Sequence, residues 1–360
     1  MKYLDGVEVE KDEVKAFEWF MKGAEQGCIE SQNRVGLLYH KGMGVQKDYS
    51  KSFEWYSKAA EKGDAKAQFN IGALYKNGQG VKKNYSKAEE WFLKAAEKGN
   101  ESAHRNLPPL YYKMKDYSKS FEWYLKLAEK GDAKAQYSIG KAYKKGEGIE
   151  KDYSKAFEWF LKSAEIGNAD AQFNVGNAYK KGEGIEKDIV KSYEWFLKAA
   201  ENGNRLAQCC TAKRYFIGEG VEKDSSKAFE WFLKAAENGE TEAQFTVGSM
   251  FYNGEGIEKD ISKAFEWYVK AAEKGQIEAQ FYVGLAYHDG DGTDQDYSKS
   301  FEWFLKAAES GYTEAQYFVG LAYELGTGVE KDSSKAFEWY LKAATNGNEK
   351  AQNNINSFSF

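Results

Sequence analysis

The side chains that point first to nucleophilic or metal chemistry are three histidines, His40, His104 and His288, and three cysteines, Cys28, Cys209 and Cys210. Their spacing argues against both chemistries. The histidines fall in three separate stretches of chain, so no Ser-His-Asp or Cys-His set can be assembled from them. Cys209 and Cys210 are adjacent, with no second pair and no histidine nearby, which leaves a metal without a ligand set. The thiols read as small buried apolar residues of a reducing compartment. No catalytic residue, metal or cofactor is expected.

Phosphate binding is the other chemistry the residues suggest. Gly-x-Gly stands at Gly42/Gly44, Gly78/Gly80, Gly146/Gly148, Gly182/Gly184, Gly218/Gly220, Gly254/Gly256, Gly290/Gly292 and Gly326/Gly328. A phosphate-cradling loop follows a strand and leads into Lys-Ser/Thr, and neither feature accompanies these glycines. The pattern is that of a recurrent turn.

Recurrence organises the whole chain. Trp19, Trp55, Trp91, Trp123, Trp159, Trp195, Trp231, Trp267, Trp303 and Trp339 are 36 residues apart, except for one step of 32. About ten such steps use all 360 residues, so residues 1–360 are expected to form one repeat array with no room for another domain. Within a copy, Ala171, Val175, Ala178 and Tyr179 share one arc of a helix. Gly176 lies at the edge of that arc, where a missing side chain admits a partner helix. The same glycine recurs at Gly36, Gly72, Gly140, Gly248, Gly284 and Gly320. Gly-x-Gly then ends the first helix. Asp152, Asp188, Asp224, Asp260 and Asp332 are placed to cap a second helix. That helix carries Ala156, Phe160 and Ala164 as a stripe beside the Trp, and a glycine such as Gly167 or Gly203 ends it. Glu-Lys pairs four apart, from Glu18/Lys22 through Glu158/Lys162 to Glu338/Lys342, are expected to support it from the solvated face. One such hairpin is too short to be stable alone, and stacking supplies the core. The Trp ladder therefore reads as structural.

The repeat resembles the Sel-1-like repeat, a relative of the tetratricopeptide repeat. Ala171, Val175-Gly176, Tyr179, Gly182-Gly184, Asp188, Trp195-Phe196 and Ala199-Ala200 carry the resemblance, with Lys191-Ser192 departing from the Lys227-Ala228 of the next copy. It implies an all-α, right-handed α/α superhelix, or solenoid, of about ten antiparallel two-helix units. It also implies a scaffold for signalling, quality-control or host-interaction complexes. Secreted, disulfide-rich members of the family differ from this chain, which lacks their cysteines.

Net charge is −5, which argues against a general binder of nucleic-acid backbones. The start, MKYLDGVEVEKDEVK, lacks the apolar stretch of a secretory signal, and no apolar run is long enough to span a membrane. The chain is expected in the cytoplasm, or outside it by a route the sequence does not show.

A partner groove is expected on the arc opposite the core of the first helices, at positions aligned with Asp170, Phe173, Asn177, Lys180 and Lys181. Between Lys66 and Lys181 its polar positions hold Lys66, Lys76, Lys113, Lys134, Lys141, Lys144, Lys145, Lys180 and Lys181 against Asp170. From Leu206 to Leu325 they hold Lys213 against Glu242, Glu278, Asp289, Glu314 and Glu324. Phe69, Tyr137, Phe173, Phe245, Phe281 and Tyr317 supply an apolar floor. Such a surface suits an extended peptide or a partner helix with one acidic and one basic end. The alternatives are RNA binding by the lysine-rich half, a microbial host-interaction effector on the same scaffold, and charges that serve solubility alone.

The 32-residue step contains an irregular unit around 101–118, where Pro108 and Pro109, the only prolines, replace the packing glycine and its neighbour and the Gly-x-Gly turn is deleted. Proline inside a helix costs about 3 kcal/mol, so a bend or change of pitch is expected. The unit reads either as a hinge or pocket around His104 and Arg105, or as a degenerate copy. Residues 349–360 are expected to form a polar cap. Residues 1–6, with Tyr3, read as the last turn of a first helix, leaving the apolar side near Trp19 uncovered for a partner or a second copy.

Overall fold

The computed structural model describes residues 12–357, and the expectations for residues 1–6, Tyr3 and Ser359 lie outside them. The chain divides into two compact units, Met1–Ile166 and Gly167–Phe360. The first contains α1 (Glu13–Glu25), α2 (Ile29–Lys41), α3 (Tyr49–Glu61), α4 (Ala65–Asn77), α5 (Tyr85–Glu97), α6 (Glu101–Lys113), α7 (Tyr117–Glu129), α8 (Ala133–Lys145) and α9 (Tyr153–Glu165). The second contains α10 (Ala169–Lys181), α11 (Ile189–Glu201), α12 (Arg205–Ile217), α13 (Ser225–Glu237), α14 (Thr241–Asn253), α15 (Ile261–Glu273), α16 (Ile277–Asp289), α17 (Tyr297–Glu309), α18 (Thr313–Leu325), α19 (Ser333–Thr345) and α20 (Glu349–Ser357). Each unit is all-α among the described residues, and within each unit helices pack chiefly on their neighbours in sequence. None of these helices is long and apolar enough to cross a membrane.

Two kinds of cap set the helix ends. Second helices begin on an Asp or Asn whose carboxylate or amide oxygen accepts the N–H three residues on, as Asp152 does from Lys155 at 2.9 Å. First helices use the same device, which the sequence reading did not assign: Asp64, Asn100, Asp132, Asn168 and Asn204 accept from Ala67, Ala103, Ala135, Ala171 and Ala207. First helices end on a left-handed glycine such as Gly146. Second helices instead end on residues such as Ile166 and Asn202, and the glycine expected as the cap follows them.

The closest approach within a hairpin lies at the packing glycine. A Cβ on Gly72 would meet the Phe92 ring at 2.6 Å, and on Gly176 it would meet the Phe196 ring at 2.8 Å. Each ring is therefore seated against the bare backbone of the first helix and is almost fully buried. In three of these hairpins a serine adds a hydrogen bond beneath the ring, Ser52, Ser192 and Ser300 donating to the carbonyls of Gly36, Gly176 and Gly284 at 2.7, 2.7 and 2.8 Å, while Ala88, Ala156, Ala228, Ala264 and Ala336 stand at that position elsewhere. Between hairpins, buried glutamines such as Gln68 donate to the carbonyl of an alanine in the preceding helix, here Ala60 at 3.2 Å. Within a unit, second-helix Trp residues pack back onto the core of the copy before them, as Trp91 does on the cluster of Tyr56, Ala59 and Ile71. Trp19, with no described copy before it, is 63% exposed.

Of the expected Glu-Lys pairs, Glu90–Lys94 closes at 2.7 Å. The lysine has another role in every copy: it lies over the Trp ring three residues earlier, at 3.8 Å for Lys270 over Trp267 and 5.1 Å for Lys22 over Trp19. A half-buried indole face offers a cation more than an exposed carboxylate does.

The irregular unit keeps its topology. Helix α6 runs through both prolines, and the deletion is absorbed in the loop. Regular copies close that loop with Asp N–H donating to Tyr C=O, as Asp152 does to Tyr143 at 3.0 Å, and Asp116 makes the same bond to Tyr111 at 3.0 Å with four fewer residues between them. Lys115, at φ 63°, takes the left-handed turn that glycine supplies elsewhere. The second glycine of the regular loop has a separate duty, because a Cβ on Gly148 would stand 2.1 Å from the Tyr117 carbonyl oxygen. Gly131 also has positive φ but has nothing within 4 Å of such an atom. Gly148→Ala is therefore expected to lose roughly 1–3 kcal/mol more stability than Gly131→Ala, read from urea midpoints of the two variants. Equal losses would contradict the close-approach account.

Candidate partner groove

The first helices of the first unit place their polar arcs side by side. A concavity of about 800 Å³ lies over the N-terminal halves of α2, α4 and α6, lined by Glu30, Asn33, Arg34, Leu37, Asp64, Lys66, Phe69, Asn70, Asn100 and Glu101 among others. Amides link its walls: Asn70 donates to Asn33 Oδ1 at 3.2 Å, and Asn33 donates to Asp64 Oδ1 at 3.2 Å. These residues carry no net charge signature, and the count of lysines on the arc passed over them. What could have flagged them is the amide on each of three consecutive first helices, Asn33 on α2, Asn70 on α4 and Asn106 on α6.

Basic character is concentrated farther along α4, α6 and α8. Lys76 is half-buried, donates to Asn106 Oδ1 at 2.8 Å, and is held below the usual lysine range by burial and by Lys113. Lys83 lies 4.9 Å over the Tyr85 ring, and its polar interaction with the phenol, ahead of Lys113 and Lys76, holds that group below its ordinary range. Lys141 lies 5.4 Å over the Tyr137 ring, Lys145 pairs with Glu147 at 3.6 Å, and Lys134 is exposed. Lys144 is half-buried beside them.

In the second unit, Lys180 and Lys181 are exposed at the end of α10, with Lys181 paired to Glu183 at 3.7 Å. Farther on, Lys213 is tied to Glu242 at 2.7 Å, Glu278 accepts from Gln276 at 2.7 Å, and Glu324 accepts from the Tyr340 hydroxyl. Glu314 is exposed and, after burial itself, raises the pKa of nearby Tyr312. Along α12, α14, α16 and α18 the first-helix positions thus keep an acidic excess after their one lysine, Lys213, is paired.

The floor aromatics sit on the seated rings. Phe69 stacks on Phe92 at 5.5 Å, and Tyr137, Phe173, Phe245 and Tyr317 meet Phe160, Phe196, Tyr268 and Tyr340 at 5.8, 5.5, 5.6 and 5.7 Å. All five are half-buried. Phe281 departs from the expectation: it is buried against Tyr282, Phe304, Tyr312 and Phe318, which occupy the surface it would otherwise offer.

His104 and Arg105 do not build one pocket. His104 meets the edge of Trp123 at 5.7 Å with Nδ1 3.0 Å from the Asn100 carbonyl oxygen, while Arg105 reaches Asp132 at 3.5 Å. Pro108 is buried, and its carbonyl accepts from Ser120 at 2.9 Å, as the packing glycines do from their serines. His40 and His288 have separate aromatic neighbours, Tyr49 and Tyr297. Burial pushes the Cys209 thiol up to about 11, and Cys210 is raised too. Cys28, expected to be buried, is exposed at the start of α2. Among the described residues no group of three His, Cys, Asp or Glu side chains could hold a metal.

Comparison with known proteins agrees with this architecture. The Sel1 repeat matches residues 3–28, 29–64, 65–100, 111–132, 133–168, 169–204, 205–240, 241–276, 277–312 and 313–348, and the gap at 101–110 holds the two prolines. No curated protein matches. Among solved structures, a protective antigen of uropathogenic Escherichia coli strains displaying an SLR fold is 37% identical, with a TM-score of 0.64, over 99% of this chain and 77% of its own. A Sel1 repeat protein from Oxalobacter formigenes is 33% identical, with a TM-score of 0.54, over 66% of this chain and 94% of its own.

The lysine cluster has a measurable electrostatic consequence. A lysine whose pKa is lower in the folded than in the unfolded state disfavours folding below both values, and the penalty fades as pH rises through the folded value toward 10.5. Lys76→Gln is expected to raise the urea midpoint at pH 7, with the gain closing as pH approaches 10.5. A lowered midpoint at pH 7 would contradict the repulsion assigned to Lys76.

Proposed function

The chain belongs to the Sel1 repeat family, and from that footing we propose that it is a non-catalytic adaptor whose first unit holds an acidic, extended segment of a partner protein. Repeat folds of this kind generally serve as protein-interaction scaffolds. One observation carries the finer reading: successive first helices of the first unit present a concavity of about 800 Å³ followed by the cations of Lys76, Lys113, Lys134, Lys141, Lys144 and Lys145. The half-buried aromatic rings between these cations offer apolar contact at fixed spacing. A partner's carboxylates would be steered by the lysines, and its main chain would meet the amides of Asn33 and Asn70. By the same chemistry the acidic positions of the second unit, Glu278 and Glu314 among them, suit a basic segment.

The test is direct. A fluorescein-labelled twelve-residue peptide rich in Asp and Glu is titrated with the full chain and with Lys141→Glu/Lys144→Glu/Lys145→Glu at several salt concentrations. Affinity should fall at least roughly tenfold in the variant at low salt, with a flatter salt dependence. Unchanged affinity and slope would remove the basic groove from the account. Tighter binding of an oligouridine of equal charge than of the peptide would favour RNA as the ligand.

A further inference from the structure

The irregular unit contains a cavity larger than its counterparts in two regular copies. Tyr112, Tyr117, Phe121, Tyr124, Ser138 and Lys141 line a space of about 150 Å³ between α6, α7 and α8. The same register elsewhere leaves about 40 Å³, where Phe318 and Leu321 stand in place of Ser138 and Lys141. A third copy, with Tyr282 and Leu285 there, leaves about 80 Å³.

Two sequence changes open it. The first is Pro108 at the position of the packing glycine. Ser120 holds the Pro108 carbonyl just as Ser52 holds that of Gly36, so the register is intact, but proline puts a ring at the position where seven other copies offer glycine. Tyr124 is consequently half-buried, whereas Tyr56, Phe92, Phe160 and Phe196 at its register are 0–2% exposed. The α6–α7 hairpin also packs less closely than the regular hairpins of the unit. The second change is relative to two copies only: Ser138 is small where those copies carry the rings of Tyr282 and Phe318, whereas Asn174, Cys210 and Thr246 stand there in the copies between.

The lining is aromatic on one side and cationic on its rim. Tyr112 and Tyr117 meet edge to face at 5.1 Å, and the Tyr112 hydroxyl donates to Glu147 at 3.3 Å, which tethers it at the mouth. Glu147 is itself paired with Lys145. Lys141 lines the cavity and Lys134 and Lys144 stand on the same helix, so the surroundings favour negative charge. A cavity of about 150 Å³ admits a benzene ring, and aromatic walls suit another ring in edge-to-face or offset contact.

We propose that this cavity is an anchor pocket for one phenylalanine or tyrosine side chain flanked by acidic residues in an extended partner segment. The assignment rests on the acidic-partner reading above and adds to it a single aromatic anchor at a fixed place, in the one unit that departs from the repeat. A ring buried there removes its apolar surface from water, while the flanking carboxylates face Lys141 and its neighbours.

Two labelled peptides, Glu-Asp-Glu-Phe-Glu-Asp-Glu and the same peptide with Ala at its centre, separate the possibilities when titrated against the full chain and Ser138→Phe. Ser138→Phe copies Phe318 and fills the cavity without altering charge, and Ser138→Tyr, copying Tyr282, serves as a second filled variant. Helical content by circular dichroism checks that each is folded. The expected result is a roughly tenfold preference for the Phe peptide in the native chain, lost in both filled variants while the Ala peptide binds all three alike. Equal binding of the two peptides to the native chain overturns the pocket and leaves the basic groove standing. A Phe preference that survives filling places the ring elsewhere and also overturns it. Failure of both peptides to bind overturns the pocket and the acidic-partner reading together.

Discussion

A ring seated against a glycine is the contact on which seven hairpins depend, while Pro108 and Ala212 stand at that position in two others and Phe232, opposite Ala212, is still only 4% exposed. At Gly36, Gly72, Gly140, Gly176, Gly248, Gly284 and Gly320, a Cβ would stand within 2.8 Å of a second-helix Tyr or Phe ring, so side-chain bulk at that point sets how closely the two helices can approach. Glycine there weakens the isolated helix by about 1 kcal/mol relative to alanine. The ring it admits is almost fully removed from water, which is worth roughly 1.5–3 kcal/mol. Burial therefore outweighs propensity, and the rest follows from it. In three hairpins a serine beneath adds a hydrogen bond, the floor aromatic of the first helix stacks on the seated ring, and within a unit the Trp of the next copy covers the core from behind.

Much of this was legible because repetition multiplies each signal. Helix identity, the turn glycines and the packing glycine all follow from period and steric argument, and the family assignment followed from the same residues. The first-helix caps were missed although Asp64, Asn100 and Asp132 carry an ordinary capping signal, because attention fell on the Asp after Gly-x-Gly. The glutamate expected for the lysine of the second helix meets it at Glu90–Lys94, but the indole beneath the lysine in every copy was not foreseen. Helical spacing places Glu158 and Trp159 almost equally near Lys162, and only burial of the indole, a product of stacking, decides between them. Phe281 departs for a similar reason, since Tyr312 and Phe318 reach it from α18 and its N-cap while Tyr282 flanks it on its own helix.

The irregular unit shows the limit more sharply. Two prolines and a deletion suggested a bend and a site near His104, whereas α6 runs on and the loop closes with its usual hydrogen bond. The consequence is felt at the far end of α6, where Tyr124 is left out of its seat beside Tyr112 and Lys141. A strain that sequence places in the backbone is relieved in packing, and packing cannot be read from one residue's propensity. The first unit is thus uneven in two ways: in the lysines along α4, α6 and α8, and in the cavity beside Tyr124.

The central claim is that the residue at the packing position decides whether the ring is seated. Pro108→Gly tests it, with tyrosine nitration followed by peptide mapping as the readout and the buried Tyr56 as internal reference. Loss of the proline ring should let Tyr124 sink toward the backbone of α6, so that its nitration falls to the level of Tyr56. Nitration of Tyr124 that stays unchanged in a folded variant would contradict the account.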